Sequence, residues 1–214
     1  MQTFPHEEST FLLPGPVGDI EILATPQDKS RANLKNITTI ICHPHPLFSG
    51  TMHNKIVTTL ARVSRDLGLR SVRFNFRGVG KSSGTHDEGR GEVEDLLTIV
   101  EWVHKNFPDG SIWLAGFSFG AYVATKGAMQ ISPKQLITIA PQVSRFKQDD
   151  LARVTCPWLL VQGEQDEVVS AEEVFAWIET LPHKPDVIRM PTAGHFFHGQ
   201  LMELRRLLEE RLQK

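Results

Sequence analysis

The sequence predicts an α/β fold: a mostly parallel sheet of about seven or eight strands with helices on both faces. Three observations point there. Short apolar runs alternate with longer stretches of helical periodicity, the pattern of βαβ units. The inner runs are apolar almost throughout, as strands covered on both faces must be. The 214 residues suffice to bury most of the apolar surface without disulfides or metals. No repeat, low-complexity tract or linker interrupts them, so 1–214 reads as one domain.

Each element follows from its own residues. Residues 11–13 and 19–24 flank the turn-forming Pro14, Gly15, Pro16, Val17 and Gly18 and read as an antiparallel hairpin. Further strands are expected at Ile37–Cys42, 71–76, Ser111–Phe117, 135–140, 158–162 and Asp186–Met190. The first helix carries the stripe Ile56, Leu60, Val63 and Leu67 and stops at Gly68. The second carries Val93, Leu96, Leu97, Val100, Val103 and Phe107 and stops before Pro108. A third starts near Ser118 and holds the small residues Gly120, Ala121, Ala124 and Ala128, which permit close packing on a sheet. A fourth opens on the capping box Ser170 to Glu173 and buries Val174, Trp177, Ile178 and Leu181. The last carries Leu201, Leu204, Leu207, Leu208 and Leu212. Only a short stretch separates Pro141 from Pro157, room for a short helix and not for a cap domain.

Composition narrows the function classes. Hydrophobic residues make up 40% and charged residues 22%, a soluble balance that argues against disorder. The formal charge is −2 with no basic run, so nothing points to nucleic acid. Charge is dense at 203–211, but its signs are mixed, as on a solvated helix face. Cys42 and Cys156 both lie in apolar, strand-like contexts, which predicts no disulfide framework and suits a reducing cytoplasm. The first residues lack the basic and apolar regions of a signal peptide. No apolar run approaches the roughly 18 residues that span a bilayer. A cytoplasmic location with no membrane partner is therefore expected, as a monomer or a homodimer.

The chemistry gathers at strand ends. Gly116, Phe117, Ser118, Phe119 and Gly120 follow an apolar strand and precede a helix. A sharp strand-to-helix turn exposes a serine Oγ, flanking glycines relieve its crowding, and the helix start supplies free N–H groups. Ser118 is therefore the candidate nucleophile, which needs a base to become reactive. Asp166 stands in a tight loop after the strand at 158–162, with Glu164 and Glu167 as competitors for the same role. His195 follows the strand Asp186–Met190 beside Gly194. The chain order Ser, Asp, His puts three catalytic candidates on the C-terminal edge of the sheet, where open α/β folds bind ligands. Acyl transfer also needs two N–H donors for the developing oxyanion. Phe119 should supply one. His45, in the loop after Ile37–Cys42, is favoured for the other, with Leu47 or Phe48 in reserve; Pro44 and Pro46 have no N–H to give.

These motifs resemble the α/β-hydrolase superfamily over essentially the whole chain after about residue 10. More narrowly, His43-Pro-His-Pro46, then Ser49-Gly50-Thr51-Met52, then Phe74-Asn-Phe-Arg-Gly-Val-Gly80 are similar to the small lidless bacterial hydrolases. Ser49 stands where those proteins have glycine, and Asn75 where the wider superfamily often has Asp. The resemblance implies carboxylester or related acyl hydrolysis of a small-molecule substrate through Ser118, His195 and Asp166, and no particular substrate. Phe48, Phe117, Val168 and Phe196 flank the motifs and are expected to contribute to an apolar pocket in an open cleft. A peptidase or acyl-thioesterase is the alternative on the same residues, and a non-catalytic binding protein the alternative from another class.

Other readings are weaker. Gly78, Gly80, Lys81 and Ser82 look like the end of a phosphate-binding loop, yet Asn75 and Ser83 stand where the two nucleotide motifs want glycine. His43 and His45 could share a metal, but three or four ligands are needed; no metal and no cofactor is expected. Cys42 reads as buried, and Arg77, Asp87 and Arg90 as pocket rim or loop ion pairs.

Overall fold

The structure, a computed structural model, describes residues 2–30, 34–146 and 154–213. Its centre is one eight-stranded sheet in the order β1-β2-β4-β3-β5-β6-β7-β8. The strands are β1 (Ser9–Gly15), β2 (Gly18–Thr25), β3 (Ile37–Cys42), β4 (Arg70–Phe74), β5 (Ser111–Phe117), β6 (Gln135–Ile139), β7 (Trp158–Gly163) and β8 (Asp186–Met190). Only β1–β2 and β2–β4 pair antiparallel; the pairings from β4 through β3 to β8 are parallel. The expected mostly parallel sheet is therefore the one found. Pro14 opposes Asp19 inside the hairpin, a position open to proline because β1 is an edge strand.

Among the described residues five helices cover both faces: α1 (Lys55–Asp66), α2 (Arg90–Asn106), α3 (Phe119–Ile131), α4 (Ala171–Glu179) and α5 (Leu201–Leu212). On one face Ile56, Leu60 and Val63 of α1 and Leu204 and Leu208 of α5 pack with Ile41, Phe117 and Val161. On the other, Val93 and Leu96 of α2, Val123 and Ala124 of α3, and Val174 and Ile178 of α4 pack with Val72, Leu114 and Leu160. Each Val, Leu, Ile or Phe side chain among them contributes about 1.5–3 kcal/mol on burial. Caps define the starts. Asn54 Oδ1 accepts the Ile56 N–H at 2.8 Å, and Ser170 Oγ accepts the Glu173 N–H at 3.3 Å.

Two strands end earlier than the residues suggest. β4 stops at Phe74, and not at 76, because the Phe76 N–H turns out of the ladder to His43 Nε2 at 3.0 Å. β6 stops at Ile139 because Ala140 takes a left-handed φ of 46°. Between β6 and β7 the described residues form one 3-10 turn, Val143–Arg145; the rest of the short-connection expectation falls on 147–153, outside the described residues. The glycines of the phosphate-loop lookalike sit in tight turns, with φ of 77° at Gly78 and 56° at Gly80, and no helix begins until Arg90. No described helix is long and apolar enough to cross a membrane.

The chain order reverses at β3, which lies between β4 and β5. Loops leaving β3 and β5 therefore diverge to opposite sides and open a crevice at their C-terminal ends.

Candidate active site

Ser118 sits in that crevice, between β5 and α3, at φ 55° and ψ −117°. Such a conformation costs a non-glycine residue about 1–3 kcal/mol and persists only where the surroundings enforce it. They do. A Cβ on Gly116 would lie 2.2 Å from Gly120 O, and one on Gly120 would lie 2.3 Å from Cys42 O. The Ser118 N–H is tied to Ile139 O at 2.9 Å, and its carbonyl accepts from Ala121 N–H at 3.0 Å. The turn can be this tight only because both neighbours lack side chains.

His195, in the loop after β8, brings Nε2 to 3.1 Å from Ser118 Oγ. Its Nδ1 lies 2.8 Å from Asp166 Oδ2. A carboxylate only accepts, so Nδ1 carries the proton and the Nε2 lone pair faces the serine hydroxyl. Asp166 is fixed in turn. Its Oδ1 accepts the N–H groups of Val168 at 2.9 Å and Val169 at 2.7 Å, and its Oδ2 also accepts from Gln162 Nε2 at 3.1 Å. Burial alone would raise the Asp166 pKa. The hydrogen bonds from His195, Val169 and Val168 outweigh it and hold the carboxyl below its ordinary value, hence ionised. The competing carboxylates do other things. Glu167 Oε2 accepts the backbone N–H of His195 at 3.0 Å, and Glu164 lies 3.7 Å from Arg189.

The loop after β3 is built around two histidines with different fates. His43 is fully buried, with Nδ1 2.6 Å from Pro44 O and Nε2 accepting the Phe76 N–H. Both ring nitrogens are committed to backbone, which leaves no lone pair for a metal. His45 precedes the 3-10 turn Pro46–Phe48. The Leu47 N–H is directed at His45 Nδ1 at 3.3 Å and the Phe48 N–H at His45 O at 3.1 Å. Both reserve donors are thus engaged, whereas the His45 N–H meets no acceptor among the described residues. Phe119 opens α3, where a helix N–H has no partner in its own helix. Ser49 takes a left-handed φ of 60°, the conformation that glycine adopts freely, so serine here carries a modest strain. Asn75 anchors the loop by accepting the Met52 N–H at 2.9 Å and donating to Glu21 Oε2 at 2.7 Å.

The surroundings are more polar than the expected apolar cleft. Ser118 is 4% and His195 3% exposed, so the site is recessed. Phe117 and Phe196 crowd the His195 ring at 5.0 and 5.1 Å, and the His45 ring packs on Phe119 at 4.8 Å. Phe117 has no exposed surface. It belongs to the core beneath the histidine, because its side chain leaves β5 on the α1/α5 face. Phe196 is 45% exposed. A cavity of about 280 Å³ adjoins the site, with Phe48 and Val168 in its walls beside the polar Gln142, Ser144, Arg145 and Glu173. Sequence reasoning missed these polar walls. Gln142 to Arg145 carry no motif, and Glu173 was legible only as part of a helix cap. Arg77 is no rim residue: it donates to Asp95 Oδ1 at 2.8 Å and Oδ2 at 3.1 Å in the interior, while Arg90 pairs with Asp87 at 2.9 Å.

Comparison with known proteins places this geometry. Residues 41–141 match the alpha/beta hydrolase fold family. The fold superposes at a TM-score of 0.94 on XC6422 from Xanthomonas campestris, an a/b serine hydrolase without lid, with 43% identity over 100% of this chain and 97% of that one. An alpha-beta serine hydrolase homologue from Coxiella burnetii gives 0.93, with 48% identity over 98% of this chain and 100% of that one. The chain is also 34% identical to lysophosphatidylserine lipase ABHD12 of Rattus norvegicus, over 59% of this chain and only 42% of that protein. The chain belongs to the α/β-hydrolase superfamily, and its fold is that of the serine hydrolases built without a lid.

Proposed function

We propose that the protein is a serine hydrolase that cleaves carboxylic esters or related acyl bonds of small molecules. Ser118 is the nucleophile, His195 the general base and Asp166 the carboxylate that orients it. One observation carries this reading: the continuous contact from Ser118 Oγ through both nitrogens of His195 to Asp166, at 3.1 and 2.8 Å.

Ser118 Oγ attacks the substrate carbonyl carbon while His195 Nε2 takes the hydroxyl proton. Asp166, held ionised, stabilises the imidazolium that forms. The N–H groups of Phe119 and His45 take up the charge on the former carbonyl oxygen. Collapse of that intermediate expels the alcohol, which His195 protonates. Water, deprotonated by the same nitrogen, then attacks the acyl-enzyme, releases the acid and restores Ser118. Phe48 and Val168 offer apolar contact to the substrate, and the neighbouring Gln142 and Ser144 offer hydrogen bonds. The lipase named among the relatives acts on an ester and is consistent with this reading.

The test is covalent labelling. A fluorophosphonate probe should mark the wild type and leave Ser118→Ala unmarked, and p-nitrophenyl acetate should be hydrolysed only by the former. Folded wild type that neither labels nor turns over the ester favours the non-catalytic binding protein. Matched ester, thioester and amide substrates then decide which acyl bond is preferred.

A further inference from the structure

A second cavity, of about 290 Å³, lies between α1 and the antiparallel end of the sheet. Its walls include Thr58, Arg62 and Arg65 from α1, Arg73 from β4, Thr25 from β2, and Glu8 just before β1. None of these residues belongs to the site around Ser118. Positions 58, 62 and 65 fall on one face of a helix, and that face looks onto Arg73.

Arg73 is 8% exposed. Its guanidinium donates no hydrogen bond to any described residue, and its Nε is buried without an acceptor. The nearest carboxylate, Glu8, stays 3.7 Å away from Nη2, and the same Glu8 oxygen already accepts the Thr25 hydroxyl at 2.7 Å. Burial, joined by the charge of Arg62, lowers the Arg73 pKa from its ordinary value, and Glu8 opposes this only in part. The other cations leave the imbalance in place. Arg65 reaches Asp66 at 3.3 Å near the surface, and Arg62 is exposed. Three guanidinium groups thus line the cavity with Glu8 as the one carboxylate in its walls, and Asp66 offsets Arg65 alone at the rim. Taking a charge out of water without hydrogen-bond partners is costly. An anion whose oxygens accepted from Arg73 would remove that cost.

From this geometry we infer that the cavity beneath α1 is a binding site for a small phosphate-bearing anion, either free phosphate or a phosphate monoester. The excess positive charge, centred on Arg73 and Arg62, favours an anion. Planar guanidinium forks match tetrahedral phosphate oxygens, each able to accept a pair of parallel N–H bonds. The Thr58 hydroxyl is bonded to Lys55 O at 2.9 Å and that of Thr25 to Glu8, so the arginines carry the recognition. Arg73 is nearly buried in the cavity wall, which suits a terminal phosphoryl group.

The inference is independent of the hydrolase reading. Isothermal titration with inorganic phosphate and with glycerol 3-phosphate tests it, with sodium chloride at equal ionic strength as control. Saturable binding of at least one phosphate compound, with a rise in the unfolding temperature that chloride does not produce, is expected. Tighter binding of glycerol 3-phosphate identifies a monoester site, and equal or weaker binding a site for free phosphate. Arg73→Gln should weaken binding at least about tenfold, and the exposed pair Arg62→Gln/Arg65→Gln should do so without unfolding the chain. Absence of saturable binding to the wild type, or unchanged affinity in the Arg62/Arg65 double variant, overturns the inference.

Discussion

The backbone N–H of Phe76 points at Nε2 of His43 across 3.0 Å, and that one contact makes His43 a neutral strut. With Nε2 accepting, Nδ1 must carry the proton that bonds Pro44 O. Burial pushes the pKa of the ring from 6.5 to about 3, against the partial support of the Pro44 bond.

A pH dependence of stability follows. The folded-state pKa of this base is depressed, so the unfolded chain takes up a proton that the folded chain refuses. The contribution of His43 is complete above pH 6.5 and is lost as the pH falls from there toward 3. About 2 kcal/mol should disappear between neutral pH and about pH 5. Urea denaturation at the two pH values measures it. His43→Gln, although less stable at neutral pH, should show a flatter loss; an equally steep one assigns the effect to other groups.

Asp166 and Glu167 are adjacent in sequence, yet the first holds the imidazole of His195 and the second only its backbone N–H. Asp166→Asn should keep the shape but favour the wrong ring tautomer. Turnover of p-nitrophenyl acetate should fall on the order of 10³–10⁴-fold, with little change in KM. Glu167→Gln keeps an acceptor for the His195 N–H and should lose less than about tenfold, in line with a single exchanged hydrogen bond. Steady-state kinetics on both variants decide; equal losses would contradict the separate roles.

Gly120 is held against the β3 loop by contact and not by conformation, since its added Cβ would lie 2.3 Å from Cys42 O and 2.4 Å from His43 O. Backbone cannot retreat as a flexible side chain can. Gly120→Ala should destabilise the fold by about 1–3 kcal/mol, visible as a lower midpoint in chemical denaturation. It should also slow fluorophosphonate labelling, because Ser118 shares the distorted turn. Wild-type stability in the variant would mean that the β3 loop and α3 are less tightly apposed.

How much of this was legible in the residues depended on what determines each feature. Strands such as Ile37–Cys42 and Asp186–Met190 are unbroken short runs, and the structure ends them at the same residues. Ser118, Asp166 and His195 could be nominated because each sits just past a strand, and the topology brings strand ends to one edge. The cavity walls could not. Gln142, Ser144 and Arg145 line the adjoining cavity from a 3-10 turn with no periodicity to betray it. Phe117 misled for a related reason. Adjacency to Ser118 suggested a pocket wall, but alternation along β5 sends its ring into the core. The division of labour between His43 and His45 also needed three dimensions, since one partner, Phe76, lies 33 residues away.

His45 offers a direct test of the oxyanion assignment. Its N–H meets no acceptor among the described residues, and its φ of −54° is one that proline adopts. His45→Pro therefore deletes the N–H while leaving the backbone path and the His45 O contacts available. If that N–H receives the developing oxyanion, kcat for p-nitrophenyl acetate should drop about 10²–10³-fold. His45→Ala removes the ring but keeps the N–H, and should retain most of the activity even though the ring's packing on Phe119 is lost. The difference between the two variants isolates the backbone donor from the side chain. Parity between them would move the second donor elsewhere in the loop, at the cost of one of the hydrogen bonds that Leu47 and Phe48 now make.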